Sequence, residues 1–126
     1  MAITWTESLT FHTSAALAAG ASTNDVINLG AGPYDFVECR ATFVMPTRPT
    51  AGNIVIQVYP TCDAATTYPT NPMGVTLNVP FFKFRESLTV VEEFAIDRVP
   101  RAKIVVTNST DVALTSYEGK YAGGAF

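Results

Sequence analysis

The chain has 126 residues, 48% of them hydrophobic and only 15% charged, with a formal net charge of −3. That length predicts one domain, and a chain this apolar with so little charge is excluded from intrinsic disorder. Proteins that read duplex nucleic acid carry a basic patch, because phosphate neutralisation supplies most of the non-specific affinity; here eight basic residues stand against eleven acidic ones. The densest basic groups are Lys83-Phe84-Arg85 and the stretch from Arg98 to Lys103; the second could touch a phosphate but reads as a solvated strand end, and no nucleic-acid partner is expected.

The front of the chain looks extended at Ile3–Trp5 and Leu9–Phe11. The first basic residue is Arg40, so the small-residue run 14–20 lacks the positive flank of a secretory signal. No run approaches the ~20 apolar residues of a membrane span. Synthesis in a cytosol without a membrane partner is the expectation. Ala15–Ala19 is the one candidate helix, bounded by Gly20 and too short to hold itself. Asp25–Leu29 reads as a short strand.

From there the hydrophobic period is two. Phe36–Met45 sets Val37, Cys39, Ala41, Phe43 and Met45 against Glu38, Arg40 and Thr42, the pattern of a half-buried strand. The prolines and Gly52-Asn53 of 46–53 end it. Asn53–Tyr59 follows with Ile54, Ile56 and Val58 on one side, and the pair predicts neighbouring antiparallel strands. The stretch 60–73 holds three prolines, and a loop of that length inside a compact domain is usually functional or mobile. Val75–Val79 reads as a strand that Pro80 either breaks or places on an edge. Phe81–Arg85 opposes Phe82 and Phe84 to Lys83 and Arg85; Leu88–Ile96, Ala102–Thr107 and Val112–Tyr117 are further strands. Asn108-Ser109-Thr110-Asp111 is a turn cluster, and the glycine-rich end reads as a tail.

About eight strands separated by regular turn signals predict an all-β fold, an antiparallel β-sandwich or jelly roll with an extended N-terminal arm. The expected organisation is an arm over 1–24, the β-sandwich domain over 25–118 and a flexible C-terminal tail over 119–126. An immunoglobulin-like sandwich is the alternative, but Trp5 is the single Trp and lies outside the interval between the cysteines.

No catalytic set emerges, and an enzyme is not expected. His12 is the single histidine and the one candidate base, read as a partly exposed polar residue; an enzyme reading would couple it to Asp63 or Glu7. Glu92 and Glu93 are adjacent, so on a strand they point to opposite faces and cannot pair with each other. Cys39 and Cys62 read as buried thiols, and a zinc site built from them with His12 and Asp63 lacks the dense spacing such sites use. No metal, cofactor or catalytic residue is assigned.

The aromatic supply is large: eight Phe, five Tyr and one Trp. Phe36, Phe43, Phe82, Phe84 and Phe94 are expected in the core. Trp5, Phe11, Tyr68, Tyr121 and Phe126 lie outside the strongest strands and are candidate interface anchors, since aromatics are enriched at hot spots; packing back on the domain is the other reading.

The strand pair 36–59 with its Pro-Thr-x-Pro-Thr-Ala-Gly-Asn connector, the Ala/Ser/Thr-rich front and the stretch Val99–Thr110 resemble small β-sandwich virion proteins of tailed bacteriophages, most of all capsid decoration (cement) proteins. The resemblance implies a structural protein of the virion that sits on the capsid surface and bridges copies of the major capsid protein, as a homo-oligomer and most often a trimer. The alternative is a tail-fibre or carbohydrate-binding β-sandwich module, with Tyr59, Tyr68 and Trp5 as stacking platforms.

Overall fold

The computed structural model describes residues 4–5, 8–28, 36–61, 76–97 and 101–125. Its elements are β1 (Thr4–Trp5), β2 (Leu9–Leu17), β3 (Ser22–Asn28), β4 (Phe36–Val44), β5 (Asn53–Thr61), β6 (Thr76–Pro80), a 3-10 turn at Phe81–Phe84, β7 (Thr89–Asp97), β8 (Arg101–Asn108) and β9 (Leu114–Ala125). The paired strands are all antiparallel.

They form two sheets. The five-stranded sheet runs β1-β9-β4-β7 with β2 also on β9, and the four-stranded sheet runs β3-β8-β5-β6. Both β1 and β2 pair with β9, so they count as one interrupted strand. The spatial orders then become first-eighth-third-sixth facing second-seventh-fourth-fifth. This is the interleaved double Greek key of a jelly roll, and the β-sandwich expected from the strand count is the observed architecture.

The alternation read from the sequence builds the core. Val37, Cys39, Ala41 and Phe43 of β4 face Ile54, Ile56 and Val58 of β5 and Ala102, Ile104 and Val106 of β8, all at most 2% exposed. Each sheet thereby buries one face and solvates the other, the arrangement that period-two patterning produces in a sandwich.

Several local expectations change. β4 and β5 are not neighbours: they lie in opposite sheets, so the connector 45–52 crosses the sandwich rather than closing a hairpin. It is too long and proline-rich for a tight hairpin turn. Gly52 adopts φ +85°, and a side chain there would collide with the Ser109 backbone. The candidate helix at Ala15–Ala19 is instead the end of β2 and a turn. Phe81–Arg85 is not alternating strand: its first four residues form the 3-10 turn, in which Phe84 is fully buried and Phe82 is 51% exposed. Phe36 is half-buried, its ring over Gly124 on the outer face.

Both expected domain boundaries fall inside strands, at 24/25 within β3 and at 118/119 within β9. Residues 9–17 and 119–125 are therefore ladder members rather than arm and tail. Glycine-rich sequence permits this in β9 because Gly119 makes room for the Phe11 ring and Gly124 for the Phe36 ring.

Candidate functional site

The two sheets present outer faces of different chemistry. On the four-stranded sheet, β3, β8, β5 and β6 direct Ser22, Asn24, Val26 and Asn28, then Arg101, Lys103, Val105 and Thr107, then Asn53, Val55, Gln57 and Tyr59, then Thr76 and Asn78 outward. Pairing aligns Asn24, Val105, Gln57 and Thr76 in one cross-strand row and Val26, Lys103 and Tyr59 in the next. Among the described residues this face carries no carboxylate.

Its polar groups are partly used. The Lys103 ammonium lies 4.8 Å from the centroid of the Tyr59 ring, and Ser22 and Thr107 hydroxyls are hydrogen-bonded at 2.9 Å. The Asn53 amide donates to Asn78 at 2.9 Å, and the Tyr59 hydroxyl donates to Gln57 at 3.4 Å. Val26 is 51% exposed at the sheet edge. The face is thus a broad platform of amides, hydroxyls and β-branched side chains with one aromatic ring.

The five-stranded sheet differs. Glu38, Arg40, Glu93, Glu118 and Lys120 stand on its outer face. Arg40 pairs with Glu93 at 2.9 Å, and Lys120 approaches Glu118 at 3.8 Å. A shallow groove of about 480 Å³ runs here between Ser8, Glu38, Arg40, Glu93, Lys120 and Ala122. The Arg40 and Glu93 side chains are 62% and 60% exposed, so their attraction is screened by water and weak.

Between the sheets lies a polar group at one flank. His12 of β2 and Asp25 of β3 are joined at 2.9 Å, with only 17% and 16% of the side chains exposed. His12 stacks on Tyr117 at 4.3 Å, and Tyr117 stacks on Phe43 at 5.3 Å. Desolvation raises the Asp25 carboxyl, with His12 opposing it. Burial, with the Asp25 charge beside it, pushes the Tyr117 phenol up. The histidine expected to be a partly exposed polar residue is therefore drawn inward as a link between sheets. The Asp63 and Glu7 offered as its catalytic partners lie outside the described residues.

Asn108 is the fold's buried polar hub. Its amide donates to Leu17 O at 3.2 Å and Val112 O at 3.0 Å, and its Oδ1 accepts from Thr110 N at 3.1 Å and Thr110 Oγ1 at 2.7 Å. Asp111 accepts from the Thr50 amide at 2.9 Å and from the Thr50 hydroxyl, and these bonds hold its carboxyl below the ordinary value. The turn cluster seen in the sequence is thus a clasp between the crossing connector and the β8–β9 turn.

Of the five candidate anchors, Phe11 and Tyr121 are half-buried and pack against the core, their rings 6.4 Å apart. Trp5 lies on β1 opposite Gly124. Tyr68 and Phe126 lie outside the described residues. The structure therefore brings Phe11 and Tyr121 together but not as an exposed platform. Tyr59, weighed only for the glycan alternative, sits on the open face. The outward register of β8 was readable from Lys103, Val105 and Thr107; what the sequence withheld was which strands stood beside it.

Cys39 is a buried free thiol whose pKa burial pushes up to about 12, with Glu38 adding to the rise. Cys62 lies outside the described residues, and among those described no cluster of three ligating side chains could hold a metal.

No protein-family model and no curated protein sequence matches the chain. Solved structures do share its fold. The PBSX exported protein XepA aligns with TM-score 0.61 and 10% identity over 95% of this chain, which spans only 37% of XepA. CBM35 from Cellvibrio japonicus Abf62 aligns with TM-score 0.56 and 9% identity, covering 95% of each chain. CBM28, a carbohydrate-binding module specific for non-crystalline cellulose, aligns with TM-score 0.53 and 12% identity over 90% of this chain and 70% of its own. At these identities the likeness extends to the β-sandwich fold and no further.

Proposed function

We propose that the chain is a non-catalytic docking module that works by burying the outer face of its four-stranded sheet against a partner, and that the partner is an assembled phage capsid. On this reading it is a decoration protein that bridges neighbouring capsid subunits. The observation that carries the reading is the chemistry of that face: four strands wide, built of amides, hydroxyls and valines, with two cations and no carboxylate among the described residues. Its amides and hydroxyls can exchange hydrogen bonds with water for hydrogen bonds to a partner, and no carboxylate among its described residues has to be desolvated.

The physical effect follows from linkage. A module that binds the assembled shell but not separated subunits adds its binding free energy to the assembled state. Repetition over the symmetric shell turns modest contacts into avidity.

A second reading is favoured by a specific observation. Tyr59 presents a ring on the same face, flanked by Gln57 and Lys103, and the fold is shared with CBM35 and CBM28. A sugar ring stacked on Tyr59 with amide hydrogen bonds around it would make the chain a glycan-binding module.

One experiment separates them. The purified chain is sedimented with assembled tailed-phage capsid shells, and run in affinity gels containing hydroxyethylcellulose or xylan. Co-sedimentation without gel retardation is the expected result. Retardation without co-sedimentation replaces the decoration reading with the glycan one.

A further inference from the structure

The sandwich has four strand edges, and three carry features that oppose further pairing. β6 is five residues long and ends in Pro80. β2 carries three register shifts along β9. β3 lies beside β2, which the Asp25–His12 pair ties to it, so a neighbouring strand of the other sheet stands over part of this edge. Short strands, prolines, bulges and covering elements are among the devices that blunt an edge.

β7 differs. It pairs with β4 through nine consecutive residues, Thr89 to Asp97, without a bulge or a proline. Among the described residues, no backbone hydrogen bond engages its other side. Of the five large hydrophobics that stand exposed among the described residues, three, Phe82, Leu88 and Val91, belong to the 3-10 turn and β7 stretch, at 51%, 37% and 47%, while Leu9 and Val26 stand singly on β2 and β3.

We infer that β7 is a self-association edge, at which a second copy of this chain adds its own β7 antiparallel about a two-fold axis centred on Val91. Side chains choose the register. A two-fold perpendicular to the sheet keeps outward residues opposite outward residues. Centring on Glu92 or Glu93 would set each carboxylate against its own copy, and like charges directly opposite are destabilising. Centring on Val91 sets Val91 on Val91, Glu93 opposite Thr89 and Leu88 opposite Phe94. Centring on Phe94 also separates the carboxylates, but it leaves Val91 opposite Asp97 and Leu88 uncovered.

The inward Glu92 does not forbid the contact, because Lys83 of the same chain neutralises it at 2.7 Å. Arg40 likewise answers Glu93 at 2.9 Å. The product is one continuous sheet through two sandwiches, with the four-stranded faces left open. It is a dimer, not the trimer that the phage resemblance implies. The inference rests on edge geometry and holds whichever partner the open face takes.

Sedimentation equilibrium of the full chain tests it. The wild type is expected to be a concentration-dependent dimer. Val91→Lys and Val91→Glu, each placing like charges at the two-fold, are each expected to weaken the dimer by about tenfold or more. An equimolar mixture of the two variants is expected to recover association, because lysine then faces glutamate. Val91 is half exposed, so circular dichroism of both variants should match the wild type. A wild type that is monomeric at submillimolar concentration, or trimeric, overturns the inference. So do dimers that survive both variants, and a mixture that fails to re-associate.

Discussion

The outer faces of the two sheets are built by the same strand patterning and filled with opposite chemistry. The five-stranded face holds Glu38, Arg40, Glu93, Glu118 and Lys120, and pairs Arg40 with Glu93 and Lys120 with Glu118. The four-stranded face holds Asn24, Gln57, Asn78, Val55 and Val105, with Lys103 set over the Tyr59 ring. A charged side chain costs more to desolvate than an amide, and the amide's cost is offset where a partner completes its hydrogen bonds. Among the described residues the contrast concentrates the carboxylates of the two outer faces on one side of the sandwich, and the proposed docking surface is the other.

Substitutions act on the two faces together or on one alone. Asn108→Ala breaks both faces together. It strips hydrogen bonds from Leu17 O, Val112 O and Thr110 in a fully buried setting, so chemical denaturation should show a loss of about 3 kcal/mol. A loss below about 1 kcal/mol would mean that the clasp between the turns is dispensable. Arg40→Ala touches the charged face alone. Its pair with Glu93 is exposed, so the stability change should stay under about 1 kcal/mol, and partner binding should be unaffected.

The smallest effect concerns acid. The Asp111 carboxyl is lowered from 3.8 by hydrogen bonds from Thr50. A group whose folded pKa is depressed contributes stability that is present above its unfolded value and lost as pH falls through the folded one. Asp111→Asn should therefore flatten the decline of the melting temperature below pH 3.8 while changing the neutral value only slightly. An unchanged acid slope would remove Asp111 from the account.

The sequence makes one layer of this structure legible and hides the next. Alternation in Phe36–Met45 and Ala102–Thr107 assigns inward and outward residues correctly, because burial of one sheet face forces period two. It also places Glu92 and Glu93 on opposite faces, where Lys83 and Arg40 respectively meet them. Periodicity says nothing about which strands adjoin. Adjacency in sequence suggested that β4 and β5 pair, while the jelly roll sends them to opposite sheets.

The misread ends have a related cause. Small residues and glycines in β9 looked like a tail because they lack side-chain pattern of their own. Their function is to receive Phe11 and Phe36 from neighbouring strands, a relation that only the folded register reveals. The 3-10 turn was hidden for a different reason: Phe82 and Phe84 alternate with cations as a strand would, yet a tighter period buries Phe84 and exposes Phe82. His12 and Asp25 gave no local signal, since their pairing needs two strands of different sheets to meet at one flank.

If the outer face of the four-stranded sheet, with its Arg101 and Lys103 and no carboxylate among the described residues, is the working surface, lysine substitutions placed on the two faces will differ in their effect on binding. Val105→Lys places a charge in the middle of the four-stranded face, between Asn24 and Gln57; Thr42→Lys places the same charge on the five-stranded face, opposite Glu118. Binding of both variants to assembled capsid shells is measured by co-sedimentation. The account predicts that Val105→Lys weakens binding by about tenfold or more while Thr42→Lys stays within about twofold of wild type. Equal losses from the two, or a greater loss from Thr42→Lys, would contradict it.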